Sequence, residues 1–114
     1  MAADPVIPFP SLTLDTQNSG ETATVLCHGK IVANTAATLQ KEVRRLIPEF
    51  KTIVLDLTDV SYMDSSGLGS LVGLYVSAKR AGKQLKLINL SDRVRDMLRI
   101  TNLLSVFEGY GEYL

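Results

Sequence analysis

The sequence is poor in the residues that usually build covalent or metal centres. It has one cysteine and one histidine. A lone cysteine cannot close a disulfide within the chain, which fits a reducing compartment. Cys27 and His28 are adjacent, so on a strand they point to opposite faces. Few other ligand types lie near them, and no metal site is expected. Cys27 sits in the apolar run ATVLCHGK and reads as a small core residue rather than a reactive thiol. Excess charge of either sign is also missing: 12 Lys and Arg balance 12 Asp and Glu. That argues against a general nucleic-acid binder, which needs a basic face, and against charge-driven attachment to anionic membranes. No run approaches the roughly 18 apolar residues of a transmembrane helix. The start, MAADPVIPFP, lacks the basic head and long apolar run of a signal peptide. A cytoplasmic protein is the expectation.

What is present is enough for one core. The chain has 114 residues, 46% of them hydrophobic, which suits one domain and not two. Pro5, Pro8 and Pro10 suggest an extended arm over residues 1–11, with the domain at 12–114. SLTLDTQ alternates at Leu12 and Leu14 and reads as an edge strand. NSGE is a turn and ATVLCHGK a second strand, so Leu12 to Lys30 reads as a hairpin. NTAATLQKEVRRLIP predicts a helix capped by Asn34 or Thr35, with Leu39, Val43, Leu46 and Ile47 on one face. Pro48 ends it.

TIVLDL, Thr52 to Leu57, is an almost continuous apolar run, as in a central strand with both faces covered. A second helix is predicted from Ser65 to Arg80, stopped at Gly82 by a left-handed cap. QLKLINL is a strand. SDRVRDMLRIT is a third helix, capped by Ser91, helped by Asp92 and ended by Asn102. A last short strand is expected around Val106 and Phe107. Alternation after the hairpin implies the α/β class, with a mixed sheet containing parallel crossovers.

The chemistry concentrates in SYMDSSGLGS, Ser61 to Ser70, where the central strand turns into the second helix. Asp64 or Ser65 can cap the helix, whose first N–H groups are unpaired and carry partial positive charge. Capping alone does not account for the next turns. Gly67, Gly69 and Gly73 fall inside the helix, each costing roughly 0.8–1 kcal/mol relative to alanine. Ser66, Ser70, Gly73 and Ser77 line one face. Such a face lets another surface approach closely, either the domain's own sheet or a partner protein. Phosphorylation of a hydroxyl here would add about −1.5 to −2 charges beside N–H groups able to tolerate them. A docked partner would meet bulk and negative charge.

A catalytic serine is not supported. It would need a base and an orienting acid, and the single histidine lies in the hairpin. There is no G-x-S-x-G elbow. GLGSLVG is superficially like a phosphate loop, but Leu68, Leu71 and Val72 carry helix periodicity and no Lys follows. The chain is not expected to be an enzyme.

Ile53 to Phe107, through MDSSGLG, LKLINLS and MLRITNLLSVF, resembles a STAS domain of the anti-sigma factor antagonist group. With GKIVANTAATL the resemblance covers nearly the whole chain from Leu12. It implies a mixed, mostly parallel sheet of four to five strands with helices packed mainly on one side. It also implies partner switching in bacterial transcription regulation. The unphosphorylated antagonist binds an anti-sigma factor that is also a serine kinase, and so frees the sigma factor. The kinase phosphorylates the antagonist, and a serine phosphatase reverses this. Carried over, Ser65 is the phosphoacceptor. Asp64, Ser66, Gly67, Leu68, Gly69 and Asn34 belong to the partner-binding surface. ATP and Mg²⁺ belong to the kinase, so the chain itself carries no cofactor. The resemblance departs at GKIVAN, where Lys30 and Val32 replace the acids of the family's Gly-Glu-x-Asp. Formal charge there rises by about +3. STAS domains also serve as structural subunits of transporters or stress-sensing assemblies, which is the alternative reading. The edge strand near Leu12 leaves the chain a monomer or a weak homodimer.

Overall fold

A computed structural model describes residues 11–108; the predicted arm, apart from Ser11, and the last six residues lie outside the described residues. Gly20 takes a left-handed φ of 60° in the turn that joins β1 (Leu12–Ser19) to β2 (Thr22–Ile31). The two strands pair antiparallel, from Leu12 opposite Gly29 to Ser19 opposite Thr22. After α1 (Ala36–Leu46), β3 (Thr52–Met63) pairs parallel with β2. After α2 (Ser65–Arg80), β4 (Gln84–Ile88) pairs parallel with β3. The sheet order is β1-β2-β3-β4. The expected mixed α/β sheet is therefore present, with four strands among the described residues. Then come α3 (Asp92–Ile100) and α4 (Leu104–Glu108).

Alternation decides which face is covered. Ala23, Val25 and Cys27 of β2, Ile53, Leu55 and Leu57 of β3, and Leu85 and Leu87 of β4 are buried. They form one cluster with Leu39, Val43 and Leu46 of α1, Leu71, Leu74 and Ala78 of α2, and Val94 and Leu98 of α3. Their neighbours Thr24, Leu26, Val54, Asp56, Lys86 and Ile88 are only half-buried. This corrects the expectation that TIVLDL is covered on both faces. The strand is central in the sheet, but the helices lie against one side only.

Strand β3 also runs six residues past Leu57. Register shifts against β2 lie between Leu26 and His28 and between Gly29 and Lys30, with the extra residues on β3. Bulges of this kind re-aim side chains. Leu57, Val60 and Met63 all reach the core, although they are three apart. Asp56 fastens the first bulge. Its carboxylate accepts from the Thr58 N–H at 3.0 Å, the Thr58 hydroxyl at 2.6 Å and the Asn89 amide at 3.2 Å. Partial burial pushes this carboxyl's pKa up, but those hydrogen bonds outweigh it and hold it below its ordinary value.

The strand expected around Val106 and Phe107 is instead the single-turn helix α4. Val and Phe favour strands by propensity, but packing overrides that preference here. The turn swings Phe107 fully into the core, edge-on to Tyr75 at 5.4 Å between ring centroids. Elsewhere the local signals hold. Gly82 takes φ 73° and Asn102 φ 61° at the ends of their helices, and the Ser91 hydroxyl accepts from the Val94 N–H at 3.3 Å. Cys27 is buried, and that burial, helped by the charge of Asp56, pushes its thiol up to about 12. No helix among the described residues is long and apolar enough to cross a membrane.

The glycines of α2 are not equivalent. A Cβ on Gly67 would collide with the Ile31 carbonyl and stand 2.8 Å from Met63 Cγ, whereas Gly69 and Gly73 face open space. Gly67→Ala should therefore destabilise the domain by about 1–3 kcal/mol through overpacking. Gly69→Ala and Gly73→Ala should each stabilise it, by up to about 1 kcal/mol. Urea titrations of the three variants check the opposite signs.

Candidate functional site

The site begins where β3 ends. Met63 is buried, and the Asp64 N–H donates to the Ile31 carbonyl at 3.3 Å, carrying the β2–β3 pairing one residue further. Asp64 is extended and caps α2: its Oδ1 accepts from the Gly67 N–H at 2.9 Å. Its Oδ2 accepts from the Ala33 N–H at 3.3 Å. One carboxylate thus ties the start of α2 to the loop between β2 and α1. Thr35, which occupies the capping position of α1, does not cap with its side chain. Its hydroxyl accepts from the Val32 N–H at 2.9 Å and donates to the Lys30 carbonyl at 2.7 Å, folding that loop into place.

Ser65 and Ser66 occupy the first two helical positions and are exposed. No acidic residue lies in this first turn. Beside it a shallow cleft of about 320 Å³ is lined by Lys30, Val32, Ala33, Asn34, Tyr62 and Asp64. Arg93 of α3 reaches over the Tyr62 ring at 5.5 Å. The Arg93 guanidinium and the Lys30 ammonium therefore belong to the same end of the domain as Ser65.

The structure brings Asp64, Ser65, Ser66, Gly69 and Asn34 to this surface. Gly67 and Leu68, expected there from the resemblance, turn inward: Gly67 sits against Ile31, and Leu68 joins the core. Helical geometry forces this, because the third and fourth residues of the first turn face the sheet when the first two face solvent. The row of small residues also divides. Ser70 is buried, accepts from Gln40 at 3.3 Å and donates to the Ser66 carbonyl at 3.0 Å; Ser77 accepts from Arg44 at 3.3 Å. Those serines pack against α1 rather than the sheet. Gly69 and Gly73 are left with nothing near them. Val76, 42% exposed, extends that outward face.

Sequence reading missed Tyr62 and Arg93. Tyr62 was hidden because the strand was expected to end before it. Arg93 was read only as part of a helix, and its approach to Tyr62 is a long-range contact. His28 is not a base for Ser65: its Nδ1 pairs with Asp59 Oδ2 at 2.8 Å, on the sheet.

A STAS domain family model matches residues 13–112. An anti-sigma-B factor antagonist of Bacillus subtilis (strain 168) is 33% identical over 98 residues, covering 86% of this chain and 90% of that protein. An anti-sigma-B factor antagonist of Listeria monocytogenes is 43% identical over 82 residues, covering 70% and 71% respectively. The fold is similar to the unphosphorylated form of the anti-sigma factor antagonist SpoIIAA, with a TM-score of 0.71 at 20% identity over 82% of this chain and 84% of that one. The phosphorylated form of the Bacillus SpoIIAA gives 0.68 at 19%, over 83% and 87%.

Removing the Asp64 carboxylate unties two N–H groups at once. Asp64→Ala should cost about 1–2 kcal/mol, and hydrogen exchange should quicken at both Gly67 and Ala33. A purely local cap would speed Gly67 alone.

Proposed function

The chain belongs to the STAS domain family, and we propose that it acts as an anti-sigma factor antagonist whose switch is phosphorylation of Ser65. In its unmodified form it binds an anti-sigma factor serine kinase in the cytoplasm, and so releases the sigma factor. The kinase supplies ATP and Mg²⁺ and modifies Ser65, and a serine phosphatase restores it. The chain's own part is regulatory and not catalytic.

The observation that carries this reading is the state of Ser65. Its side chain is exposed at the first position of α2, and no hydrogen bond holds its hydroxyl among the described residues. The capping task that a serine there could perform is already done by Asp64. The hydroxyl is therefore free for a kinase to reach. A phosphate on it would stand next to the Asp64 carboxylate, which already takes the Gly67 N–H, but the first turn itself has no acid, and its remaining N–H groups and the helix dipole favour an anion. The fold should tolerate the modification while the outer surface changes by about −1.5 to −2 charges.

Gly69 and Gly73 support a docking role for the outward side of α2. They weaken the helix and relieve no contact inside the domain. A partner backbone can come close where they stand. Lys30 and Val32 adapt the adjoining loop. Val32 is only 6% exposed, and both it and Lys30 line the cleft. A cation in place of the family's acid suits a partner with complementary negative charge at that spot.

Ser65→Asp should weaken binding to the kinase by about tenfold or more, roughly 1.4 kcal/mol. Ser65→Ala should bind like the unmodified protein and resist phosphorylation. Phosphosite mapping of protein from its native host, with and without stress, combined with binding of both variants, is the test. Ser65→Asp binding as well as wild type would end the switch proposal. Ser65 unmodified under all conditions, together with stable copurification with a transporter ATPase, would favour the structural-subunit reading.

A further inference from the structure

Tyr62 and Arg93 meet at the surface and not in the core. Tyr62 is 40% exposed near the end of β3, and Arg93 is exposed in the first turn of α3. The guanidinium lies over the ring at 5.5 Å. Among the described residues no carboxylate or carbonyl accepts from it. The ring holds the side chain in place without taking up its N–H donors, which match a carboxylate in a two-pronged bond. Holding the fork in advance lowers the entropy that binding must overcome. Lys30 stands directly opposite Tyr62 across the β2–β3 pairing. Tyr62 therefore has one cation from β2 and another from α3 as neighbours. The acids of this corner are engaged elsewhere. Asp64 gives one oxygen to the Gly67 N–H and the other to the Ala33 N–H. Asp92 opens α3, where the helix dipole favours it.

We propose that the Tyr62–Arg93 pair, with Lys30, receives an acidic segment of the partner that docks at the Ser65 corner. The inference rests on the reading that a phosphate on Ser65 turns docking off, and the sign of that switch carries it. Where the fold stays as it is, the phosphate acts on a docked partner through bulk and charge. Its charge of about −1.5 to −2 would strengthen the docking of a basic surface and repel an acidic one. An off-switch worked by charge therefore needs an acid on the partner near Ser65, and that acid needs cations on this chain to meet.

Lys30 and Arg93 are placed for that task. Lys30 and Tyr62 line the same cleft as Asp64, the residue before Ser65, and Arg93 reaches the ring from the other element. Tyr and Arg are also the residue types in which interface energy concentrates. The phosphate then acts twice: it repels the partner's acid and weakens the field of the two cations that attract it. The alternation of bound and released states needs no movement of the fold.

Titration of the isotope-labelled full chain with an acetylated tetraglutamate amide, followed by NMR at low ionic strength, tests the receptor without the kinase. The Arg93 Nε–H and the Tyr62 and Lys30 amides should shift and saturate, added salt should reverse the shifts, and tetralysine should leave them in place. Arg93 is exposed, so its substitution spares the fold. Arg93→Gln should weaken the peptide by about threefold or more. Arg93→Lys should cost less, because the charge stays and only the fork is lost. Ser65→Asp should weaken the peptide too. Against the anti-sigma factor kinase of the native host, Arg93→Glu should bind more weakly than Arg93→Gln. Peptide shifts confined to Lys51, Lys79 and Lys83 overturn the proposal. So do Arg93 shifts that follow protein concentration, the mark of a second copy, or that appear only once residues 1–10, with Asp4, are removed. Arg93→Glu binding the kinase like wild type, while Ser65→Asp does not, sinks the acidic segment and leaves the switch standing. Ser65→Asp binding like wild type ends both.

Discussion

The first turn of α2 is seated on the end of β2, and the rest of the site depends on that contact. The Ile31 carbonyl accepts from the Asp64 N–H, and the same carbonyl leaves no room for a Cβ on Gly67. The helix can approach this closely only because residue 67 lacks a side chain. Once it is seated, one Asp64 oxygen reaches Gly67 and the other reaches Ala33. Strand end, helix start and neighbouring loop become one rigid corner. Ser65 and Ser66 are exposed because Gly67 and Leu68 of the same turn face inward.

Rigidity of this kind suits a switch that works by surface chemistry. Where the fold does not rely on the Ser65 hydroxyl, modifying it need not unfold anything. The charge change is then expressed outward, toward whatever docks, and not inward as strain. The two bulges in β3 contribute by carrying Leu57, Val60 and Met63 into the core in succession. They anchor the strand up to the last residue before the cap. The small residues of α2 serve two purposes. Ser70 and Ser77 let α1 lie close, while Gly69 and Gly73 keep the outer surface low.

The one-sided sheet divides the molecule in a second way. Its helical side holds the core and, through the β3–α2 crossover, the corner that carries Ser65. Its other side is a half-exposed lattice of threonines, charges and a few aliphatic residues.

What the sequence determined by itself was whatever depends on neighbours within a turn or a strand. Strand alternation, the helix at Ser65–Arg80, the caps at Asp64 and Ser91, and the left-handed residues Gly82 and Asn102 are short-range effects, so they were legible. Ser65 stood out because an acid, hydroxyls and glycines met at one strand-to-helix junction. The tertiary structure alone decided which of those residues look outward. Gly67 and Leu68 face inward, Ser70 and Ser77 meet α1, and Tyr62 is joined by Arg93 from a helix distant in sequence. It also made a helix of the segment around Phe107, because burying that ring against Tyr75 outweighs the preference of Val and Phe for a strand. Such outcomes depend on packing between segments distant in sequence, and a linear pattern does not carry the geometry of that packing.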